Sequence, residues 1–154
     1  MTLQEQFGNI DIYLFDQLLR GQIHPSMRVL DAGCGGGRNL VYLLRSGFEV
    51  SGTDADADAI DEVRRLAEHV APGREHDFRA EPIERMSFAD LSFDVVIASA
   101  VLHFARDEKH FETMLRQIWR VLKPGGIFFA RLASTIGIEG QLVPLGHGRF
   151  RLPD

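Results

Sequence analysis

The chain has 154 residues, 45% of them hydrophobic, so it is large enough to bury one core of the usual domain size. Its 17 basic and 22 acidic residues give a net charge of −5, and no Lys/Arg cluster is longer than Arg64-Arg65, which argues against nucleic acid as the main partner. The single cysteine, Cys34, excludes an internal disulfide, and the first residues lack the basic-then-apolar order of a secretory signal, so we expect a cytoplasmic protein. The longest apolar stretch, Val95 to Leu102, is far shorter than the roughly 20 residues of a membrane span, and we expect none.

The chain begins with a predicted helix and a first strand-to-helix unit. Gly21 ends the helix, which covers about residues 10 to 20 and should pack on the domain that follows. Its apolar residues recur at helical spacing: Ile12, Phe15 and Leu19, with Leu14 and Leu18 beside them. Arg28 to Ala32 is then a short apolar strand that enters the glycine-rich loop 33–37, and helical spacing resumes until Gly47.

A second unit of the same kind follows directly. Phe48 to Thr53 is an apolar strand that ends at Asp54. The helix behind this strand can be capped by Asp56 or Asp58. A weaker third strand is predicted at His76 to Ala80.

Strand and helix signals alternate again in the second half of the chain. Phe93 to Ser99 is a fourth strand, and a helix over about residues 107 to 122 ends at a Lys-Pro-Gly-Gly turn before a fifth strand at Ile127 to Leu132. This alternation predicts an α/β fold that is doubly wound, with a mainly parallel sheet between helices. We therefore divide the chain into a core with its N-terminal helix, residues 1–131, and an irregular tail, residues 132–154.

The glycine-rich loop after the first strand is suited to holding a ligand, since glycine lets a backbone approach closely and tolerates positive φ. A dinucleotide site would need Gly-x-Gly-x-x-Gly or Ala, but counting from Gly33 and Gly35 the last position is Arg38, which disfavours a nicotinamide cofactor. The pattern present is an acid at the strand end, Asp31, with alternate glycines after it. Asp54 ends the next strand, where a carboxylate can accept both hydroxyls of a ribose or cap the following helix.

Together these features resemble the class I methyltransferases that use S-adenosylmethionine, over residues 10 to 132. Four segments carry the likeness: Val29 to Gly37 for the first motif, Gly52-Thr53-Asp54 for the acidic end of the second strand, Ser92 to His103 for the fourth-strand motif, and Leu122 to Gly126 for the turn before the fifth strand. Gly37-Arg38-Asn39 followed by Tyr42-Leu43 is also similar, more faintly, to the tellurite-resistance-type branch.

The resemblance implies one set of residues at the cofactor: Asp31, Gly33, Cys34, Gly35, Asp54, Ala55, Ala80, Glu81 and Ser99. Gly33 and Gly35 would hold the methionine part, and Asp31 would order the loop or meet the amino group through water. Asp54 would bind the ribose hydroxyls. An ordinary tight turn between strand and helix is the alternative interpretation of the loop.

Two positions leave alternatives open. Glu81 could accept from the adenine amino group, but Arg79 departs from the family's Gly-Asp-Ala pattern, and Glu81 before Pro82 is equally suited to starting a surface helix. Ser99 and His103 follow the fourth strand at the carboxyl edge of the sheet, where ligands bind in open α/β folds. His103 is therefore a candidate for the methyl-acceptor site, or it fills a polar pocket.

Methyl transfer from a sulfonium is an in-line displacement that removes a positive charge, so it needs alignment more than acid–base chemistry. The sequence accordingly contains no triad, no nucleophile elbow and no histidines at metal-ligand spacing, and we expect no metal. The Asn-Pro-Pro-Tyr-like segment of base and amide methyltransferases is replaced by Ser99-Ala100-Val101-Leu102, which favours a small-molecule acceptor. A nicotinamide-dependent oxidoreductase and a non-catalytic S-adenosylmethionine-binding module are the alternatives.

Members of the family normally finish their sheet with two further strands beside the fifth, and the tail is too short to supply them. We therefore expect a sheet that lacks its last two strands, with Ile127 to Leu132 as an edge that exposes Phe128 or Phe129 unless the tail covers it. We expect a fragment of a longer chain that self-associates. Alternatively, the tail or a second copy in a homodimer covers this edge.

Overall fold

A five-stranded sheet forms the centre of the computed structural model, which describes residues 1–151 and 153. Its strands, all parallel, are ordered β3-β2-β1-β4-β5. They cover β1 Arg28–Ala32, β2 Glu49–Asp54, β3 Asp77–Ala80, β4 Phe93–Ser99 and β5 Leu122–Arg131. The helices are α1 Leu3–Phe7, α2 Ile12–Leu19, α3 Val41–Arg45, α4 Ala57–Val70 and α5 Glu108–Val121. The doubly wound α/β fold predicted from the sequence is confirmed.

Alternate residues of each strand face opposite layers of the core. Val29 of β1 belongs to the cluster under α2, α3 and α4, whereas its neighbour Leu30 belongs to the cluster under α5. Both side chains are fully buried. A parallel sheet is therefore covered on both faces, and its strand ends form the edge at which the chain can bind ligands.

The two long helices begin where short acidic side chains cap them. Asp56 accepts a hydrogen bond from the Asp58 N–H at the start of α4, and Asp107 accepts one from the His110 N–H at the start of α5. Such a cap stabilises a helix by about 1 kcal/mol. The two caps allow α4 and α5 to begin close to the carboxyl edge of the sheet.

The N-terminal segment packs on the domain as predicted, but through a different face of the helix. Leu14 is fully buried, while Ile12 and Leu19 are each 72% exposed. The stripe through Ile12, Phe15 and Leu19 is therefore not the buried face of the helix. An additional helix, α1, precedes it and brings the Phe7 ring to 4.9 Å from Phe15. Its five residues are too few for the periodic pattern by which a helix is recognised.

Strand β5, the last strand of the five-stranded sheet in chain order, begins earlier than the sequence indicates. The Lys-Pro-Gly-Gly turn lies inside β5, where the register with β4 shifts between Phe93 and Val95. Gly125 takes φ +75° there, and a Cβ on Gly126 would come within 2.8 Å of the Asp94 carbonyl oxygen. The turn is thus an irregularity that the ladder accommodates.

Strand β5 is the edge of the sheet among the described residues, which agrees with the expected loss of two strands. Phe128 and Phe129 are half-buried, because each packs against one of the two core clusters. The tail is not wholly irregular: β6 Val143–Gly146 and β7 Arg149–Arg151 form a separate antiparallel hairpin. No helix within the described part of the chain is long and apolar enough to cross a membrane.

Candidate functional site

The glycine-rich loop is attached to the neighbouring strand by its backbone. The N–H groups of Gly33 and Cys34 both donate to the Thr53 carbonyl oxygen, at 2.7 and 3.0 Å. The Gly37 N–H donates to the Cys34 carbonyl oxygen at 3.0 Å, which closes the turn into α3. Thr53, buried at the end of β2, therefore fixes where the loop leaves the sheet.

Three glycines of this loop have positive φ for different reasons. A Cβ on Gly33 would come within 2.5 Å of Val101 Cγ2, and one on Gly37 within 2.7 Å of Val63 Cγ2. These two positions need glycine for packing. A Cβ on Gly35, at φ +51°, would meet nothing within 4 Å. Gly35 is thus where the loop backbone faces open space and a ligand can approach.

Asp54 binds the loop directly. Its Oδ2 accepts from the Gly35 N–H and its Oδ1 from the Asp56 N–H, both at 2.9 Å. A carboxylate has about four acceptor positions, so two are left for hydroxyl donors of a ligand. The hydrogen bond to Gly35 couples the position of this acid to the conformation of the loop.

Asp31 is a buried acid without a hydrogen-bond donor among residues 1–151 and 153. Burial raises the pKa of its carboxyl group to about 7; the charge of Arg38 opposes this rise and that of Asp54 adds to it. A buried carboxylate of this kind is stabilised by a cation or a donor that enters the site. The amino group of a methionine moiety has that chemistry, so the residues present fit S-adenosylmethionine.

A cavity of about 510 Å³ opens above the loop. Besides residues 33–39 it is lined by the link between α1 and α2, by side chains of α3 and α4, and by the end of β4. There the Arg38 guanidinium donates to the Ser99 hydroxyl at 3.2 Å. Ala100 takes φ +59°, and its N–H donates to the Arg131 carbonyl oxygen at 2.7 Å. The cavity is thus bordered by the cation Arg38 and the acid Glu62, whereas Asp31 and Asp54 lie behind the loop and are not among its lining residues.

Cys34 lies under the loop instead of facing outward. Its side chain is buried, and a Cβ on Gly52 would come within 3.0 Å of its Sγ. Burial, with the nearby charges of Asp31 and Asp54, raises the pKa of this thiol far above its ordinary value. Cys34 therefore stays a neutral packing residue, and only its backbone is available to the site.

The residues expected near adenine follow β2 and β3. Ala80 pairs with Asp54 in the ladder, and both Ala80 and Ala55 are exposed at this edge. Glu81 uses its two oxygens on Ser87, accepting from the N–H at 2.8 Å and from the hydroxyl at 2.5 Å. Its carboxylate thus closes the loop 81–87, which also contains the short 3-10 helix Ile83–Arg85. Contact of these residues with adenine stays a prediction.

His103 lies apart from the glycine loop. Its Nδ1 accepts from the Ala133 N–H at 3.1 Å, which joins the segment after β4 to the segment after β5. It lines a second cavity, of about 680 Å³, with the start of α5 and the tail. The structure therefore brings Gly33, Gly35 and Ser99 together at one cavity and His103 to another.

One network at the edge of the sheet was missed at the sequence level. Asp11 is buried and caps α2 by accepting from Tyr13 and Leu14, while its Oδ2 pairs with the Arg131 guanidinium at 2.9 Å. The Asn39 side-chain oxygen accepts from the Asp11 N–H at 2.9 Å. An acid before an apolar helix signals a cap, but nothing local signals a partner 120 positions away.

Comparison with known proteins gives the family. A model described as a methyltransferase domain matches residues 30–130. A ubiquinone biosynthesis O-methyltransferase of Chelativorans sp. is 33% identical over 118 residues, which are 76% of this chain and 45% of that protein. A solved S-adenosylmethionine-dependent methyltransferase of Methanosarcina mazei is 30% identical, with a TM-score of 0.62, over 73% of this chain and 55% of that one. The 1,6-didemethyltoxoflavin-N1-methyltransferase of Burkholderia thailandensis, solved with 1,6-didemethyltoxoflavin and S-adenosylhomocysteine, is 28% identical with a TM-score of 0.62, over 76% and 48%.

The sheet order, the family model and the solved relative place the chain among the class I S-adenosylmethionine-dependent methyltransferases, as the resemblance predicted. Within this class, the chain belongs to the methyltransferase domain family, whose model extends from within β1 to the end part of β5. The chain spans about half the length of the curated relatives it matches, with 47%, 45% and 39% of three of them covered.

Proposed function

We propose that this domain binds S-adenosylmethionine above the glycine loop and directs its methyl group to a small-molecule acceptor. The observation that carries the proposal is the buried, donor-free Asp31 beside a loop whose Gly35 faces open space. Asp31 and Arg38 offer a negative and a positive group, which suits the zwitterionic amino acid part of that cofactor. Asp54 would accept from the ribose hydroxyls with the acceptor positions that Gly35 and Asp56 leave free.

In this reaction the chain would act by aligning the cofactor with the acceptor. When bound, the cofactor supplies a methyl carbon on a cationic sulfur, and the acceptor's lone pair forms the new bond as the carbon–sulfur pair returns to sulfur and the acceptor's proton passes to water. Asp54 and the loop would fix the cofactor from one side, while Ser99 and Ala100 would bound it on the side of β4. Such positioning can contribute roughly 7–11 kcal/mol to the rate without an acid or a base.

The finer assignments belong to the same proposal. Ala55, Ala80 and Glu81 border the adenine end, and residues 1–131 form the core to which the tail 132–154 is attached. Strand β5 offers a free edge among the described residues, with the exposed Trp119 indole 5.2 Å from the Phe128 ring. Pairing of two such edges would form a homodimer, which a mass measured by light scattering would detect.

Titration calorimetry tests the proposal. We expect S-adenosylmethionine and S-adenosylhomocysteine to bind, and NAD to bind far more weakly, because a glycine loop with Arg38 at its end disfavours a dinucleotide. If NAD bound more tightly than S-adenosylmethionine, the result would contradict the proposal and favour a nicotinamide-dependent oxidoreductase. Release of S-adenosylhomocysteine in the presence of an acceptor separates an enzyme from a non-catalytic binding module.

A further inference from the structure

The second cavity, of about 680 Å³, has the size of sites that take small organic molecules. It opens between the segment after β4, the first turn of α5, the segment after β5 and the β6–β7 hairpin. Its residues take no part in the hydrogen bonds that hold the glycine loop. The cavity is therefore lined by other residues than the cofactor cavity.

Phenyl rings reach this cavity from three separate elements. Phe104 follows β4, Phe111 lies in α5 and Phe150 lies in β7, and all three line it. Phe104 is 74% exposed and Phe150 is also exposed, although burial of either ring would be favourable. Exposed rings that converge on one concave surface are typical of a site that receives an apolar ligand.

His103 contributes a polar group of defined character. Because the Ala133 N–H can only donate, Nδ1 is the acceptor, and the neutral imidazole carries its proton on Nε2. His103 therefore presents a hydrogen-bond donor instead of a base. A ligand oxygen is the matching acceptor.

The two cavities meet at the end of β4. Ser99 and Ala100 line the cofactor cavity, and Leu102 and His103 line the second one. Val101 lies between them and packs so closely on Gly33 that a Cβ there would come within 2.5 Å of its Cγ2. Val101 is thus the one residue of the chain between the two linings, so a ligand in the second cavity would adjoin the cofactor there.

We propose that the second cavity receives the methyl acceptor, and that this acceptor is an aromatic small molecule with a ring oxygen substituent. The rings of Phe104, Phe111 and Phe150 hold the aromatic part, and His103 Nε2 donates to the oxygen. This assignment rests on the proposed function, which it extends from the cofactor to the class of substrate. His103 acts as a positioning residue and Phe104 as a specificity residue.

Binding of 2-naphthol, measured by ligand-observed NMR with and without S-adenosylhomocysteine, tests the assignment. We expect 2-naphthol to bind and its saturated counterpart, decahydro-2-naphthol, to bind at least threefold more weakly, since stacked aromatic contacts add to simple apolar burial. Phe104→Leu and Phe150→Leu keep apolar side chains but remove a ring, and each should weaken 2-naphthol binding by about threefold to tenfold. Ile12→Ala, at an exposed position that does not line the cavity, is the matched control and should change nothing.

His103→Asn isolates the donor, because the Asn oxygen can still accept from the Ala133 N–H while the Nε2 donor is lost. This variant should bind 2-naphthol about threefold to tenfold more weakly and bind naphthalene, which has no hydroxyl, unchanged. Equal binding of the aromatic and the saturated alcohol, or unchanged 2-naphthol binding in both Phe→Leu variants, would overturn the proposal. Calorimetry with S-adenosylhomocysteine alone reports on the proposed function, so the two can fail separately.

Discussion

The cofactor cavity and the second cavity, which Phe104, Phe111 and Phe150 line, lie at the same edge of the sheet. They are built in different ways. Most of the first is one continuous segment, residues 33–39, whose start is fixed by backbone hydrogen bonds to β2, while distant segments complete its rim. The second is assembled from three distant segments, at residues 102–111, 132–135 and 147–150, and a hydrogen bond from Ala133 to His103 joins the first two. A site built from local turns leaves a motif in the sequence, whereas a site built from side chains of distant segments does not.

Substitutions in the glycine loop should have the largest effects on stability and on cofactor binding. Variants can distinguish the packed glycine Gly33 from Gly35, which faces open space. Gly33→Val inserts a branched side chain where Val101 already lies, at positive φ, and should lower the free energy of unfolding by about 3 kcal/mol or more. Gly35→Val should cost about 1–2 kcal/mol from strain alone, and should abolish S-adenosylmethionine binding because it fills the open space. Denaturant unfolding and calorimetry on both variants measure the difference. Retained affinity in Gly35→Val would mean that the loop does not face the ligand.

Asp54→Ala should affect binding more than folding. Loss of a charged acceptor for the ribose predicts about 10- to 100-fold weaker binding of both S-adenosylmethionine and S-adenosylhomocysteine. The free energy of unfolding should fall by about 1–2 kcal/mol, because the Gly35 N–H also loses its acceptor.

Asp56→Ala is the matched control for this change. It removes the cap of α4, with a similar cost of about 1 kcal/mol, without removing the hydrogen bond to the Gly35 N–H. Its affinity for both ligands should equal that of the parent. Equal losses of affinity in the two variants would assign Asp54 to loop stability alone.

The buried Asp31 predicts a pH dependence that only the cofactor cavity should have. The pKa of Asp31 is raised from 3.8 to about 7 in the folded chain, so the contribution of this group to stability is present below about pH 4 and is lost as pH rises through about 7. A cationic ligand group prefers the ionised carboxylate, so S-adenosylmethionine affinity should rise about tenfold from about pH 6 to about pH 8. Asp31→Asn should bind weakly with a flat profile in calorimetry across this range. A parent profile as flat as that of the variant would exclude Asp31 from the contact.

The smallest effect concerns the link between the N-terminal helices and the core. Arg131→Gln removes the cation from the buried Asp11, but the Arg131 side chain is 54% exposed and the Tyr13 and Leu14 N–H groups remain as donors. We expect a loss of about 1 kcal/mol in the free energy of unfolding, with little change in cofactor affinity. Arg20→Gln, which removes an exposed ion pair with Asp16, should cost less than about 0.5 kcal/mol by the same measurement.

The sequence predicted the strands of the sheet better than the faces of its helices. Arg28–Ala32 and Phe93–Ser99 have the bounds expected, because buried parallel strands are continuous apolar runs between turn signals. In α2, by contrast, two stripes at helical spacing compete, and only tertiary packing decides that Leu14 is buried and Ile12 is exposed. The start of β5 was misplaced for a similar reason, since a turn sequence can lie within a ladder as a bulge.

The site could be predicted only as far as its chemistry was local. The loop glycines, Asp31 and Asp54 follow from a motif, and the structure adds that Gly33 serves packing while Gly35 faces space. Thr53 and Arg38 lie in segments that resemble the family, but their contacts could not be predicted. Thr53 acts through its backbone carbonyl group, and Arg38 donates to a hydroxyl group 61 positions away. The ring cluster of the second cavity could not be foreseen, because the hairpin that carries Phe150 has no periodic pattern.

Amide spectra recorded during titration with S-adenosylhomocysteine test the central claim most directly. We expect shifts concentrated at Gly33, Gly35 and the residues after Asp54, with Gly148 and Phe150 of the hairpin unchanged. Addition of 2-naphthol should then shift Phe104, Ala133 and Phe150 and leave Gly35 where the first ligand put it. No shift of Phe104 and Phe150 on addition of 2-naphthol, or a shift of the hairpin by S-adenosylhomocysteine alone, would contradict an edge that holds a cofactor site and an adjoining acceptor site.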